Sequence, residues 1–203
     1  MVQALNQFKE TPSQTAGPYV HIGAVPNFCG ITGVYPEDLG KTMVSDGVRG
    51  ERITVTGRVI DGGGNPVGDC VVEIWQADAG GIFNSPEEHR AGADPYFTGF
   101  GRCPADTDGR YSFETIKPGP VPGPGGATMA PHITFWIVAR GINIGLHTRM
   151  YFSDEETANA QDPVLAMARP LGREATLIGK REGDTVRFDI HLQGENETVF
   201  FDV

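Results

Sequence analysis

Residues 53–83 constrain the chain most. Two β-rich runs, ITVTGRVI at 53–60 and CVVEIWQ at 70–76, flank Asp61-Gly-Gly-Gly-Asn-Pro66. Glycines there reach positive φ and the proline cannot extend a ladder, so the pattern predicts strand, turn and strand, a central hairpin. Next comes Ala79-Gly-Gly-Ile-Phe83, whose glycines let the chain bend sharply and bring position 83 over the end of the sheet.

A chain of 203 residues with 39% hydrophobic side chains can bury one sizeable core, so a single domain over 1–203 is predicted. Twenty-eight Gly and fifteen Pro are spread along the sequence, which suits many short strands joined by tight turns and argues against an all-α chain. Net charge is −10, unfavourable for nucleic acid or an anionic membrane surface, since either needs a basic patch that releases counterions. No run approaches the ~20 apolar residues of a membrane span, and MVQALNQFKETPSQ at the N-terminus holds no signal-type apolar core. These features predict a cytoplasmic protein. Cys29, Cys70 and Cys103 are odd in number and lack Cys-x-x-Cys spacing, which predicts three reduced thiols and no zinc site.

In chain order, ETPSQTAGP at 10–18 reads as an ordered arm, because each proline forces its predecessor toward extended geometry, with a loose terminal tail as the alternative. A short helix is predicted near 36–41, and a surface excursion over 85–93. Residues 111–116 (YSFETI) alternate as a strand after the Asp106-Thr-Asp-Gly109 turn, and KPGPVPGPGG at 117–126 is a loop. HITFWIVA at 132–139 is nearly all apolar, a strand covered on both faces. Further strands are predicted at 146–152, 174–178, 185–193 and 198–202. One helical region is predicted at 154–168, with Asp154 as N-cap and Pro163 ending or kinking it. The fold class that follows is all-β, a mostly antiparallel β-sandwich with long loops and one or two short helices. No phosphate loop, nucleophile elbow or calcium loop is present.

Longer stretches carry a resemblance. VTGRVID at 55–61, NPV at 65–67, VEIWQADAGGIF at 72–83, TDGRYSFETIKPG at 107–119 and APHITF at 130–135 together resemble the intradiol ring-cleavage dioxygenases. The segments at 10–23, 139–152 and 194–203 are similar to the α chains of two-chain members that cleave protocatechuate. The resemblance implies a β-sandwich whose loops form the site, and a non-haem ferric ion held by two tyrosines and two histidines. Anionic phenolate oxygens suit Fe(III).

Position by position, the tyrosines fall on Phe83 and Val121 and the histidines on His132 and Thr134, so one ligand of four is retained. The resemblance therefore implies no metal and no catalytic residue in this chain, and Fe(III) on a homologous partner β chain. It further implies that Thr15, Gly17, Pro18 and Arg140 line a protocatechuate pocket at the interface of the two chains, with residues 1–23 packed there. Two alternatives stay open: a purely structural assembly subunit, with Arg140 a strand-end cation paired to an acid or an exposed carbonyl, and a self-sufficient metalloenzyme using His21, His147, His191 or a tyrosine.

Overall fold

The computed structural model describes residues 15–17 and 19–202. Its axis is strand β1 (Arg52–Ile60), in which Ile53, Val55, Gly57 and Val59 point to the core while the intervening residues are half-buried. One edge of β1 pairs antiparallel with β4 (Arg110–Ile116). The other edge takes first β10 (Thr185–Arg187) and then β11 (Ile190–His191), both parallel. β10 turns back on β9 (Ile178–Glu182), β9 runs parallel to β8 (Leu146–Phe152), and β7 (His132–Val138), β2 (Val71–Trp75) and β3 (Phe100–Pro104) complete one nine-stranded sheet. A separate ribbon joins β5 (Val121–Pro122) to β6 (Thr128–Met129).

The sheet doubles over at β9, so β1 and β4 face β2 and β7 across one core in which Val55, Tyr111 and Phe113 meet Val72, Ile74 and Phe135. The Tyr111 and Phe135 rings meet edge-on at 5.8 Å. This is the predicted all-β sandwich, with six antiparallel pairings among nine. A second apolar cluster, Ala130, Tyr151, Leu165, Ala168 and Leu177, covers the outward side of β7 and β8. Among the described residues there are two short α-helices, α1 (Tyr19–Ala24) and α2 (Glu156–Gln161). Cys29, Cys70 and Cys103 are free thiols. Among the described residues no helix is long and apolar enough to cross a membrane.

Several expectations are corrected. The strands at 53–60 and 70–76 do not form a hairpin: β1 has both edges filled by β4, β10 and β11, and the chain crosses to the opposite layer, where β2 lies between β3 and β7. Residues 185–193 are two strands, because the Phe188 carbonyl leaves the ladder to accept the Tyr111 hydroxyl, directly over Gly57. The Asp189 carboxylate then accepts the Arg58 N–H at 2.9 Å in place of a ladder carbonyl. Residues 174–177 form a 3-10 turn that buries Leu177, held by Thr176 Oγ1 donating to Arg173 O. Residues 198–202 make no strand; Thr198 N donates to His191 O and Phe201 N to His147 O, so the segment spans two strands instead of extending either.

The region at 154–168 splits into α2 and a 3-10 segment (Leu165–Leu171), and Asp154 is no cap because its carboxylate is taken by Lys117 and Arg181. The short helix falls at 19–24 and not at 36–41, where the Asp38 carboxylate folds a turn by accepting the Asn27 and Phe28 N–H groups. The outward side of 132–139 is covered less completely than predicted: His132 is buried but Thr134 and Trp136 are half-buried. The loop at 117–126 contains β5 and a single 3-10 turn. Most of the arm at 10–18, Pro18 included, lies outside the described residues; Thr15 and Gly17 lie within them.

Candidate functional site

The sharp bend after β2 is built by one carboxylate. Asp78 Oδ1 accepts the N–H groups of Gly80 at 2.8 Å and Ile82 at 3.0 Å, and its Oδ2 accepts that of Asp94 at 2.9 Å. Gly81 sits at φ +75°, and a Cβ there would stand 2.1 Å from Pro120 O, so the bend presses against the following Pro-rich loop. Gly119 N donates to Asp78 O at 2.9 Å and closes the contact. Phe83 and Val121, far apart in sequence, are thus delivered to one end of the sheet. Below the bend, Arg90 forks onto Glu88 and also donates to Gly81 O at 2.8 Å, while Glu88 accepts the Phe83 N–H at 3.3 Å. The Arg90 guanidinium holds the Glu88 carboxyl down to about 2 from its ordinary 4.5.

The Phe83 ring stacks on Trp75, with centroids 6.1 Å apart and planes 9° from parallel. Val121 is buried and pairs with Met129. Thr134 stands on β7 between Trp75 of β2 and Arg149 of β8. His132, two residues before it on the same side of β7, places Nδ1 2.8 Å from Ala130 O. A carbonyl only accepts, so the proton is on Nδ1; burial pushes the ring's pKa down, which keeps it neutral.

The ferric ion that the resemblance implies can be tested against these side chains. Phe83 and Val121 offer no lone pair, Thr134 offers a neutral hydroxyl, and only Nε2 of His132 is a normal metal donor. Arg149 adds a fixed positive charge, its Nη1 3.4 Å from Met129 Sδ and opposite Thr134. A ferric ion needs anionic oxygen donors, so these residues do not fit it. His21 on α1, His147 on β8 and His191 on β11 stand on three separate elements.

The other predicted residues meet elsewhere. Arg140 follows the far end of β7, and its Nε donates to the Asp69 carboxylate just before β2. Thr15 grips the backbone on both sides of Arg140: Gly141 N donates to Thr15 Oγ1 at 2.8 Å, and the hydroxyl donates to Ala139 O at 3.4 Å. Arg140 and Asp69 border an open hollow of about 820 Å³ with aliphatic walls from Val67, Ile142, Leu146 and Leu192. Gly17 is half-buried nearby in sequence. β7 runs from His132 to Val138, six steps or about 20 Å at 3.3 Å per residue, and Arg140 lies beyond its far end. The two groups of residues are therefore separate.

Sequence reasoning missed Asp69, Arg149 and the Glu88 and Arg90 brace. An arginine inside the largely apolar strand LHTRMYF was a readable signal for Arg149, and Glu-His-Arg at 88–90 for the brace. Asp69 carried none.

Residues 25–194 match the family described as Dioxygenase. The protocatechuate 3,4-dioxygenase alpha chain of Pseudomonas putida is 46% identical over 198 residues, covering 95% of this chain and 96% of that one. The protocatechuate 3,4-dioxygenase beta chain of Burkholderia cepacia is 39% identical over 178 residues, 82% of this chain and 75% of that one. A solved intradiol ring-cleavage dioxygenase from Tetranychus urticae superposes with a TM-score of 0.57 at 20% identity, over 78% of this chain and 89% of that one, a likeness of fold.

Proposed function

This chain belongs to the intradiol dioxygenase family, and on that premise we propose that it is the α subunit of an enzyme cleaving protocatechuate with O2 between the two hydroxyl-bearing carbons, giving 3-carboxy-cis,cis-muconate. In this reading the family's ferric ion would be held by a homologous β chain, a partner whose existence the kinship with a β chain supports, and would supply the redox centre for ring cleavage. Arg140 recognises the substrate carboxylate, Thr15 fixes the Arg140 backbone, and Gly17 and Pro18 give a low wall against a flat ring. Protocatechuate differs from plain catechol by that carboxylate, and a guanidinium is suited to it.

One observation carries the reading: Arg140 lies beyond the far end of β7, whose six steps from His132 span about 20 Å, away from the end that holds this chain's own Phe83, Val121 and Thr134 and too far to serve a substrate there. As a substrate contact it would serve a centre on another chain. A purely structural role has one observation in its favour, the carboxylate partner that Arg140 already has in Asp69.

The test is metal analysis and ring cleavage by the chain purified alone and then assembled with its β partner, followed by Arg140→Ala in the assembly. The reading expects iron and turnover only in the assembly, and a rise in KM for protocatechuate on removing the guanidinium. Stoichiometric iron with turnover in the isolated chain would overturn the division of labour. Unchanged KM in R140A would leave only the structural role.

A further inference from the structure

The bond between Arg140 and Asp69 is made through one edge of the guanidinium. Nε donates to Asp69 Oδ2, and among the described residues neither Nη1 nor Nη2 of Arg140 donates to any acceptor. Arginine has a planar fork of five N–H groups, and a carboxylate held at Nε leaves the Nη1 and Nη2 end facing outward as a bidentate grip for a second carboxylate. The Arg140 side chain is 65% exposed and borders the hollow, so the fork is not sealed in the fold. An ion pair this exposed adds little to stability, which makes packing a poor reason for its geometry.

Asp69 itself stands on anchored backbone. Val67 N donates to Val59 O at 2.9 Å on one side, and Ala105 N donates to Cys70 O at 2.8 Å on the other. Thr15 grips the residues flanking Arg140, so the arginine is fixed by its backbone from one side and by its Nε from the other. Asp61, the other acid of the hollow, is already engaged by Asn65 and by the Gly63 N–H. The aliphatic side chains of Val67, Ile142, Leu146 and Leu192 beside the fork suit the face of an aromatic ring whose carboxylate meets the arginine.

We propose that Asp69 is a positioning residue for substrate recognition: it holds the Arg140 guanidinium by Nε and aims the Nη1 and Nη2 edge at the carboxylate of a bound dihydroxybenzoate. The proposal rests on the role given to Arg140 above. Without Asp69 the long side chain samples many rotamers and must be ordered each time a ligand binds, which weakens carboxylated ligands and leaves uncharged ones alone.

The experiment uses the assembled enzyme with its β partner, checked for intact assembly by size-exclusion chromatography. Two quantities are read, the KM for protocatechuate and the dissociation constant of phenol, which has the ring hydroxyl but no carboxylate. Asp69→Ala should raise KM about tenfold, with the loss on KM and not kcat, and shift phenol binding less than twofold. Asp69→Asn, whose amide oxygen still accepts from Nε, should recover most of the loss. An unchanged KM in D69A, or equal weakening of protocatechuate and phenol, overturns the proposal. If R140A raises KM while D69A does not, the role of Asp69 falls and that of Arg140 stands; if neither variant moves KM, both fall.

Discussion

Asp162 shows how much one side chain can organise. It is fully buried and accepts four hydrogen bonds: Tyr151 hydroxyl at 3.0 Å, and the N–H groups of Ala130 at 2.8 Å, Val164 at 2.8 Å and Leu165 at 2.7 Å. Those donors come from β8, from the turn before His132 and from the start of the 3-10 segment, so the carboxylate ties the covering layer to the strand that carries His132. Asp162→Ala would strand several buried donors at about 1–3 kcal/mol each, partly relieved by water, for a net cost of roughly 3–4 kcal/mol. The expected fall in Tm is roughly 10 °C by circular dichroism; a fall below about 3 °C would mean the donors find other acceptors. Gly81 is a second such position. Gly81→Ala meets both the strained φ and the Pro120 carbonyl, and should cost about 3 kcal/mol in urea unfolding while altering the near-ultraviolet signal of the Trp75 and Phe83 stack. Neither role could be read from the sequence in full: the Gly-Gly bend was legible, but its partner at Pro120 is fixed by tertiary packing, and Asp162 looked like an ordinary residue before a proline.

At the level of elements, what was legible was what repeats locally. β4 and β8 follow from alternating or apolar runs and their turns, and β7 from its continuous apolar character. The break between β10 and β11 was not legible, because it comes from Gly57, Tyr111 and Arg58 on strands more than seventy residues earlier, whose groups take the place of ladder partners. β3 was missed because Phe-Gly-Arg-Cys-Pro has neither alternation nor β-rich composition; it forms where β2 offers an open edge. The bend after β2 likewise depends on the Glu88 and Arg90 brace, and that dependence is testable by pH. The Glu88 carboxyl stays ionised in the folded loop down to about 2, against its ordinary 4.5. A depressed carboxyl contributes order in full above 4.5 and loses it as pH falls toward 2. Between those limits the stacking of Phe83 on Trp75, followed by near-ultraviolet circular dichroism, should weaken in the natural chain more than in Glu88→Gln, which has no such proton to take up. Identical acid profiles would mean that Arg90 bonding to Gly81 O holds the bend without Glu88.

Across the whole molecule, the two halves of the folded sheet meet at β9, and a cluster of charges is placed there. Arg181 on β9 donates to Asp154 at 2.8 Å and to Glu51 ahead of β1, while Lys117 after β4 reaches Asp154 at 2.9 Å and Glu155 at 2.5 Å. Two cations thus face three acids drawn from both layers, a grouping that no local pattern in the sequence announces, just as none announced that Thr15 would bond the backbone on either side of Arg140. The resemblance supplied the names of those two residues, and only the folded chain shows Thr15 bonded to Ala139 and Gly141 and Arg140 beyond the far end of β7. The cluster is partly exposed, so each single loss should be small. Asp154 is shared, however: removing Arg181 leaves Lys117 on it, and removing Lys117 leaves Arg181. Only when both are gone do Glu51, Asp154 and Glu155 face one another without a cation, in a chain already at −10. The Arg181→Ala, Lys117→Met double variant should therefore melt about 2–3 °C below the sum of the two single shifts in low salt. At 1 M salt, where the Debye length falls to about 3 Å, that excess should largely vanish. Strict additivity at both salt concentrations would show that the two halves are joined by β9 pairing alone, with the charges riding on a junction they do not help to hold.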